Sequence, residues 1–484
     1  MADTTALRNK ILQLAIEGKL VEQRAEEGDA RELLDEIKAE KAQLIAEKKI
    51  KKDKPLAPIS DTDKPFNIPD SWVWVRWGTL SESIQYGYNA PAKGKGRIKM
   101  VRISDIQNGE IAWETTPYCD IEEQDIDAYK LKKNDILFAR TGGTVGKSYL
   151  VSKEPQDAIY AGYLIRTRYS GQLCPQYLKL FMECSLYWEQ LKDGTTATAQ
   201  PNCNGQKLAK MILPLPPLGE QKRIVEKLDE VMKALDEIEQ GRKNIEALKD
   251  KLRNKALQTA IEGKLVEQRA EEGDARALLD EIKAEKAQLI AEKKIKKDKP
   301  LAPIDDSEIP FDIPDSWVWV RLGEVCEYNP KSQLDDELEV GFVPMTLVKE
   351  GYNDYNSYEI KKWKDVKTGY THFANGDLVV AKITPCFQNK KSAIIRDLPN
   401  NVGAGTTEFH VLRNKRIYLM KFLLYICKTD EFIAGGVRQF SGTSGQQRVS
   451  ADYIKNLPIP LPPLGEQKRI VEKLDEVMAE IDKL

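Results

Sequence analysis

Apolar residues recur at three- and four-residue spacing along a central stretch of the chain. They run from Ile224 to Ile261 and include seven-residue steps such as Leu228 to Leu235. This spacing is typical of an α-helix whose apolar seam packs on another helix. The pattern therefore predicts one long helix over residues 220–262.

A second, shorter periodic stretch predicts a helix from Asp29 to about Lys49. Asp29 and Glu32 stand at the spacing of an N-terminal capping box. A run of lysines at 48–54 follows, and prolines 55, 58, 65 and 69 then predict a stiff, extended connector. The lysine run is typical either of a solvated helix end or of a segment that follows a phosphate backbone. The face predicted to be buried consists of Leu33, Leu34, Ile37, Leu44 and Ile45.

Both patterns occur twice, because the chain contains a long internal repeat. Residues 7–59 recur as 252–304 with three differences in 53 positions, and residues 214–232 recur unchanged as 460–478. The period is far longer than that of a stacked repeat protein. The chain is thus two constant frames, each with an insert of little shared sequence. Two interpretations stay open: recent duplication without functional meaning, or two equal surfaces for two copies of one partner.

The two chain ends carry complementary parts of the frame. Residues 465–484 copy the start of the central helix, and residues 7–18 copy its end. We expect both ends to pair antiparallel with the central helix, which gives a pseudo-two-fold, circular arrangement. The alternative is that the two ends are only helical caps.

The inserts differ from the frames in their pattern of residues. Short β-branched and aromatic runs at 99–103, 135–140, 377–382 and 407–412 predict strands, and 175–191 and 417–432 predict helices. The predicted fold class is α+β, with two mixed α/β domains joined by long antiparallel coiled-coil helices. The predicted segments are a helical region at 1–59, an insert domain at 60–213, a central helical region at 214–304, an insert domain at 305–459 and a helix at 460–484.

Composition and charge exclude several classes of protein. The 484 residues carry a net charge of −2, which excludes a wholly basic DNA-coating protein but not local basic patches. No apolar run is long enough for a membrane helix and no signal peptide is visible, so we expect a cytoplasmic protein. Seven cysteines without a C-x-x-C pair and two isolated histidines predict reduced thiols and no metal site.

Two segments of the first insert carry basic residues among glycines. Residues 93–102 hold cations at mostly alternate positions, which on a strand places several on one face; the pattern suits phosphate or groove contact, or a soluble hairpin edge. Residues 141–148 resemble a phosphate-binding loop, but Thr141 stands where its first glycine is required. We therefore predict no NTPase. Residues 382–392 of the second insert also follow a strand with a polar, basic turn, as expected of two recognition elements with different targets.

Several motifs together resemble the specificity subunit of a type I restriction–modification system. They occur in the order typical of that family and cover essentially the full chain. The motif segments are Ala15–Leu20, Asp135–Lys147, Thr198–Asn202, Pro214–Gln221, Gly376–Phe387 and Gly405–Arg413.

The resemblance implies two target-recognition domains, each of which recognises one half of a bipartite site in double-stranded DNA. It implies that the helical pair sets their separation and docks two methyltransferase subunits, which bind S-adenosylmethionine and methylate adenine. The resemblance also implies that motor-nuclease subunits add the restriction of unmodified DNA. No methyltransferase motif or cofactor glycine motif occurs here, so we expect a non-catalytic chain without its own cofactor or metal. The alternative function is a coiled-coil scaffold without DNA recognition.

Arg, Lys, Asn and Gln side chains are the groups that contact base edges and phosphates. For each one taken singly, ordinary surface hydrogen bonding is the competing explanation. The residues expected to contact DNA are Lys93, Lys95, Arg97, Arg140, Lys147, Gln200 and Asn202 in the first insert, and Lys382, Gln388, Asn389, Lys390, Lys391, Gln446 and Arg448 in the second.

Overall fold

The chain divides into two compact units, residues 1–241 and 242–484. The computed structural model describes residues 4–107, 109–193, 202–297, 299–443 and 445–484. The boundary between the units falls inside one long helix, within the central segment predicted at 214–304. The other boundaries of the five predicted segments stay predictions.

The first unit contains seven complete helices in its described residues and the beginning of an eighth. The helices are α1 (Thr4–Ile16), α2 (Ala30–Ala46), α3 (Trp77–Leu80), α4 (Glu123–Tyr129), α5 (Pro175–Phe181), α6 (Ser185–Asp193), α7 (Gly205–Lys210) and α8 (Leu218–Ile261). The strands are β1 (Val73–Arg76), β2 (Ser81–Tyr86), β3 (Ile98–Val101), β4 (Ile106–Gln107), β5 (Glu110–Ile111), β6 (Tyr118–Cys119), β7 (Ile136–Ala139), β8 (Ser148–Leu150), β9 (Ala158–Tyr160), β10 (Leu164–Tyr169) and β11 (Ile212–Leu215).

The second unit holds the rest of α8 and repeats much of this order. Its other helices are α9 (Ala275–Ala291), α10 (Leu322–Val325), α11 (Trp363–Val366), α12 (Ile417–Cys427), α13 (Asp430–Arg438), α14 (Ala451–Asn456) and α15 (Leu464–Lys483). Its strands are β12 (Val318–Arg321), β13 (Glu327–Tyr328), β14 (Glu339–Val343), β15 (Glu359–Lys362), β16 (Thr371–Ala374), β17 (Leu378–Ala381), β18 (Ser392–Ile394), β19 (Val402–Gly405), β20 (Phe409–Arg413) and β21 (Pro458–Leu461).

Each insert begins and ends in a two-stranded antiparallel ladder. β1 pairs with β11, so that Val73 faces Leu215, and β12 pairs with β21 in the same way. Each insert then holds an antiparallel four-stranded sheet, of order β2-β10-β7-β8 in the first and β13-β20-β17-β18 in the second. A second sheet contains a parallel pair in both, β3 with β9 and β14 with β19. The predicted α+β class with two mixed inserts on a helical frame is confirmed.

Each chain end pairs antiparallel with the part of α8 that belongs to its own unit. In the first unit, Arg8 of α1 donates to Asp236 at 2.5 Å and lies 3.5 Å from the sulfur of Met232. In the second unit, Arg253 donates to Asp482 of α15 at 2.5 Å. The prediction of antiparallel pairing is confirmed within each unit, and α8 begins and ends within two residues of the predicted bounds.

The seam of α8 is filled only towards its two ends. Ile224, Leu228 and Leu235 are buried, and so are Leu257 and Ile261. Arg242 at a seam position, with Gly241 beside it, predicts a local weakening of the seam, and the apolar residues around it are exposed because α1 and α15 cover only the outer turns. The exposed apolar residues there are Ile238, Ile245, Leu248 and Leu252, with 48–59 % of their surface accessible.

The N-terminus of α2 is capped by Asp29, but not through the predicted capping box. The Asp29 carboxylate accepts from the amide of Arg31 at 2.7 Å, and Asp274 accepts from Arg276 at the same distance in the second copy. That copy has Ala277 where the first has Glu32. Because the same aspartate cap forms without a glutamate, it does not require the capping box; the amide of Ala30 donates separately to the carbonyl of Ser71 at 2.9 Å.

A buried tryptophan ties the connector to a frame helix in each unit, to α8 in the first and to α15 in the second. The indole nitrogen of Trp72 donates to Glu220 at 2.8 Å, and Gln23 donates to the same carboxylate at 2.5 Å. Trp317 makes the equivalent bond to Glu466 at 2.8 Å. Burial raises the pKa of both glutamates in spite of these hydrogen bonds. The repeated residues therefore build the same local structure twice and hold the entry to each insert.

An ion pair between Glu285 of α9 and Arg416, the residue before α12, predicts a measurable pH dependence of stability. Arg416 donates twice to Glu285, at 2.9 Å each, and these bonds, with a further one from Lys415, lower the pKa of Glu285 to about 2. The ordinary value is 4.5, so the contribution to stability is fully present above about pH 4.5 and is lost as the pH falls towards 2. Because 37 % of the Glu285 side chain is exposed, solvent screening limits the pair to about 1 kcal/mol.

We therefore expect Glu285→Gln to lower the free energy of unfolding by up to about 1 kcal/mol at pH 7, and by less at pH 3. Urea unfolding at a series of pH values measures this difference. The matched control is Glu40→Gln, at the equivalent position of the first unit. Glu40 accepts hydrogen bonds from the neutral side chains of Ser170 and Gln172 instead of from an arginine. A difference between Glu285→Gln and the parent that stays constant from pH 7 to pH 3 would contradict the assignment.

Candidate nucleic-acid interface

One inner strand of each four-stranded sheet, β7 in the first unit and β17 in the second, is here called the central strand. It is followed by a polar, basic turn that occupies the same place in both units. After β7 the chain turns at residues 140–147 and returns as β8, with the amide of Ala139 donating to the carbonyl of Lys147 at 2.8 Å. After β17 it turns at residues 382–391, and the amide of Ala381 donates to Lys391 at 2.9 Å. Arg140 and Lys147 thus correspond to Lys382 and Lys391, although the two turns share no sequence pattern.

A second segment meets each turn and carries another pair of equivalent candidates. Asn202 forms a β-bridge with Thr141, and Arg448 forms one with Ile383. The next residue donates its amide to the carbonyl at the start of the turn, at 2.9 Å in both units. The structure therefore brings together Arg140 with Asn202, and Lys382 with Arg448. Gln200 lies outside the described residues.

Arg140 is held by an aromatic side chain rather than by a carboxylate. Its guanidinium lies 4.7 Å from the centre of the Tyr86 ring, and the hydroxyl of Tyr86 accepts from the amide of Gly205 at 3.0 Å. The Arg140 Nε is buried and has no acceptor within the described part of the chain. Stacking fixes the plane of the guanidinium, and its two terminal nitrogens, unlike the buried Nε, can donate to base or phosphate oxygens.

Tyr86 and Tyr163 are functional candidates that the sequence analysis missed. Tyr163 accepts from the amide of Arg140 through its carbonyl at 3.1 Å, and its side chain is 40 % exposed. Both tyrosines stand at strand ends, where neighbouring strands bring them beside the turn. The sequence pattern predicts no strand next to either tyrosine, so it gives no signal that places them beside the turn.

Four of the predicted cations are engaged by carboxylates of the protein itself. Lys93 bonds to Asp120 at 2.6 Å, Arg97 to Glu123 at 3.0 Å, Lys390 to Asp430 at 2.6 Å and Arg448 to Glu408 at 2.8 Å. The bond to Asp120 raises the pKa of Lys93, and the bond to Glu408 raises that of Arg448. A phosphate or base that binds these cations competes with an internal acceptor.

The alternate cations at 93–102 do not form one free basic face. The strand covers only Ile98–Val101, Lys99 donates to the carbonyl of Trp113, and Arg102 donates to Asp105 at 2.7 Å. These contacts, with those of Lys93 and Arg97, turn most of the cations towards acceptors of the protein. Lys95 is exposed and has no side-chain partner among the residues described.

The other candidates lie along the two turns, except Gln446, which lies in the segment that meets the second turn. Lys147 and Gln388 are exposed and have no side-chain partner in the described ranges, whereas Lys382 is half-buried and its charge helps to lower the pKa of Glu408. Asn389 donates to Glu350 at 3.1 Å, and Lys391 donates to the carbonyl of Met345 at 3.3 Å. Gln446 is exposed, and its carbonyl accepts from Arg448 at 2.9 Å.

A buried ion pair supports the central strand at the end opposite each turn. Asp135 accepts from Arg168 at 2.8 Å and from the amide of Lys132 at 2.8 Å. Asp377 accepts from Arg413 at 2.7 and 2.8 Å, and only 3 % of either aspartate side chain is exposed. Burial raises the pKa of Asp377 although Arg413 opposes that shift. Each pair joins the central strand to its neighbour and so fixes the strand that leads into the turn.

Other kinds of site find no support within the described parts of the chain. Those residues contain no cluster of three or more His, Cys, Asp or Glu side chains placed to hold a metal ion. They also contain no helix long and apolar enough to cross a membrane. All seven cysteines are free thiols, and six of them are buried.

Both units match one family of DNA-recognition domains. Residues 81–247 and 314–483 match the family model described as type I restriction modification DNA specificity domain. The specificity subunit of the type I restriction enzyme EcoAI of Escherichia coli is 48 % identical over 236 residues, which are 48 % of this chain and 40 % of that relative. The EcoEI specificity subunit of Escherichia coli is 44 % identical over the same shares. The match thus spans less than half the length of these relatives.

The fold is also similar to a solved structure. A chain from a study of the complex assembly and conformational transition of the type I R-M system superposes with a TM-score of 0.52. The two share 19 % sequence identity, and the match covers 87 % of this chain and 93 % of that one. At this identity the similarity concerns the fold alone.

Proposed function

We propose that this chain, which belongs to the type I restriction–modification DNA specificity family, recognises a bipartite DNA sequence with one half-site for each unit. The resemblance predicted from the sequence is confirmed by the two family matches. The observation that carries the proposal is the pair of equivalent turns. They occupy one structural position in two near-identical frames, yet they present different side chains, as two readers of different sequences require.

Within each turn, the contacts divide between bases and phosphates. Arg140 presents a fixed guanidinium that suits the O6 and N7 of guanine or a phosphate, and Lys382 presents a point charge in the corresponding place. Asn202 and Arg448 flank these cations, and Lys147 and Lys391 close the turns. The cations that are paired to Glu408 or Asp430 bind DNA only if the carboxylate releases them, which gives them a smaller share of the affinity.

The frame supports partners rather than catalysis. We propose that two methyltransferase subunits dock on it, that they bind S-adenosylmethionine and methylate adenine, and that motor-nuclease subunits add restriction in the cytoplasm. The exposed apolar residues in the middle of α8 favour a protein partner there. A scaffold without DNA recognition is not supported, because both inserts match the DNA specificity domain.

The length of α8 is proposed to set the spacer between the half-sites. An α-helix rises about 1.5 Å per residue, so seven added residues lengthen it by about 10 Å, close to three base pairs. Seven is also the period of the seam, so an insertion of this size keeps the apolar residues in phase.

Single substitutions in the turns are expected to act on one half-site each. Arg140→Ala lowers the affinity for the specific duplex by about 1–3 kcal/mol, or roughly 5- to 150-fold, and relaxes the sequence requirement in one half only. Lys382→Ala relaxes the other half. Competition binding with duplexes altered in one half at a time, with the chain in complex with its methyltransferase partner, measures both effects.

Lys133→Ala is the control for this prediction. Lys133 is an exposed cation three residues before the start of β7, whereas Arg140 directly follows that strand, so the two lie at its opposite ends. We expect Lys133→Ala to bind the parental site with unchanged preference. Equal losses for Arg140→Ala on cognate and unrelated duplexes would reject the assignment of base recognition to this turn.

A further inference from the structure

A basic groove is repeated where the proline-rich connector meets each insert. In the first unit a cavity of about 600 Å³ is lined by Lys52, Lys54, Gly78, Tyr86, Gly205 and Lys210, among others. In the second unit a cavity of about 390 Å³ lies at the corresponding place and is lined by Lys299, Gly323, Tyr328 and Lys455, among others. Lys54 and Lys299 are equivalent positions of the internal repeat, as are Gly78 and Gly323.

One arginine in each unit fixes the connector against the insert. Arg76 donates to the carbonyls of Ala57 at 2.7 Å and Lys210 at 2.6 Å. Arg321 makes the same two bonds in the second unit, to Ala302 at 3.1 Å and Asn456 at 2.6 Å. The lysines of the connector are therefore carried by a backbone that is bonded to the insert rather than by a free tail.

The charge of the first groove is positive because its acidic residue is already neutralised. Asp53 accepts from Lys41 of α2 at 2.7 Å, and Lys41 also donates to the carbonyl of Gly78 at 2.8 Å. Lys52 and Lys54 are exposed and have no ion-pair partner among the described residues. The groove thus presents two uncompensated ammonium groups at a fixed place.

The first groove is continuous with the recognition turn of its unit, and the second is joined to a strand of its insert. Tyr86 lines the first groove and is also the ring on which Arg140 stacks. Tyr328 lines the second groove and its hydroxyl lies 2.6 Å from Nδ1 of His410, on strand β20, which starts one residue after Glu408. In the first unit, a DNA strand that reaches the turn is therefore adjacent to the lysines of the connector.

We propose that the two grooves bind the DNA phosphate backbone beside each half-site. This inference rests on the proposed function of the turns. Lysine is a point charge that suits a phosphate and carries no sequence information. The repeat supplies the same lysines to both units although the inserts differ, which fits a contact that is independent of the sequence being read. The two lysine runs then have a role beyond that of solvated helix ends.

The test compares the salt dependence of DNA binding by the full chain, in complex with its methyltransferase partner. We expect Lys52→Ala/Lys54→Ala to reduce the slope of log K against log salt by about 1.8, because each lost phosphate contact contributes about 0.9. The loss is expected to be equal on cognate and unrelated duplexes, and the methylated sequence stays unchanged. Lys297→Ala/Lys299→Ala is expected to act in the same way.

The matched control removes two charges from the same lysine run outside the groove. Lys49→Ala/Lys51→Ala is expected to leave the slope unchanged, and thermal unfolding checks that all variants are folded. An unchanged slope for Lys52→Ala/Lys54→Ala, or an equal loss in the control, would overturn the inference. Loss of the methyltransferase from the complex with unchanged DNA binding would overturn it too, in favour of a protein contact. If the parent complex does not prefer its target duplex, the proposed function itself fails.

Discussion

Replacing Asp135 with alanine is expected to destabilise the first insert by about 3–5 kcal/mol, the cost of breaking a buried ion pair by removing one partner. Asp135 accepts from Arg168 at 2.8 Å, and Arg166 lies 3.9 Å from its other oxygen with only 2 % of its side chain exposed. Removal of the carboxylate leaves these cations without their counter-charge in the interior. The substitution also frees the amide of Lys132, which donates to Asp135 at 2.8 Å.

Hydrogen exchange measures this effect within one molecule. We expect faster exchange for the amides of β7 and β10 in Asp135→Ala, while those of β17 and β20 in the second unit keep their protection. Recognition of the first half-site is lost and that of the second is retained, because Asp377 and Arg413 form an independent pair.

The control is Asp157→Ala, which removes an exposed carboxylate from its ion pair with Lys130. A surface pair of this kind contributes about 0–1 kcal/mol, so the sheet amides keep their protection. Equal exchange rates for Asp135→Ala and Asp157→Ala would show that the buried pair does not support the central strand.

The helical frame is the part of the fold that the sequence predicts well. The seven-residue spacing along α8 and the repetition of its two ends in the chain termini are local patterns, and they led to the antiparallel pairing seen in both units. The cap at Asp29 was predicted for the correct residue with the wrong bonding partner. Gly241 and Arg242 indicate a weak point in the middle of the seam, but the length of the exposed stretch was not predicted, because periodicity reports which residues share a face and not how far the partner helix extends.

The candidate site depends on contacts between distant parts of the sequence, and here prediction reached less far. The equivalence of Arg140 with Lys382 follows from strand pairing in two inserts with little common sequence. The carboxylates that engage Arg448 and Lys390 lie 40 residues away from them along the chain. Tyr86 reaches Arg140 only because β2 and β7 both pair with β10. No local pattern contains this information.

The near-identity of the two frames makes the inserts exchangeable within this chain. Strands β1 and β12 have the same sequence, Val-Trp-Val-Arg, and each ladder closes its insert in the same register. Frame residues that touch the inserts are also repeated, as with Glu40 and Glu285. Residues 77–211 are therefore expected to fold correctly in place of residues 322–457.

The central claim is that each insert alone determines one half of a bipartite DNA site. The most direct measurement is methylation mapping of DNA modified by complexes in which residues 77–211 replace residues 322–457, so that both frames carry the first insert. The account predicts a methylated site in which the sequence of the first half-site occurs twice, and the reciprocal variant gives the second half-site twice. A folded complex that still methylates the parental bipartite sequence would contradict it.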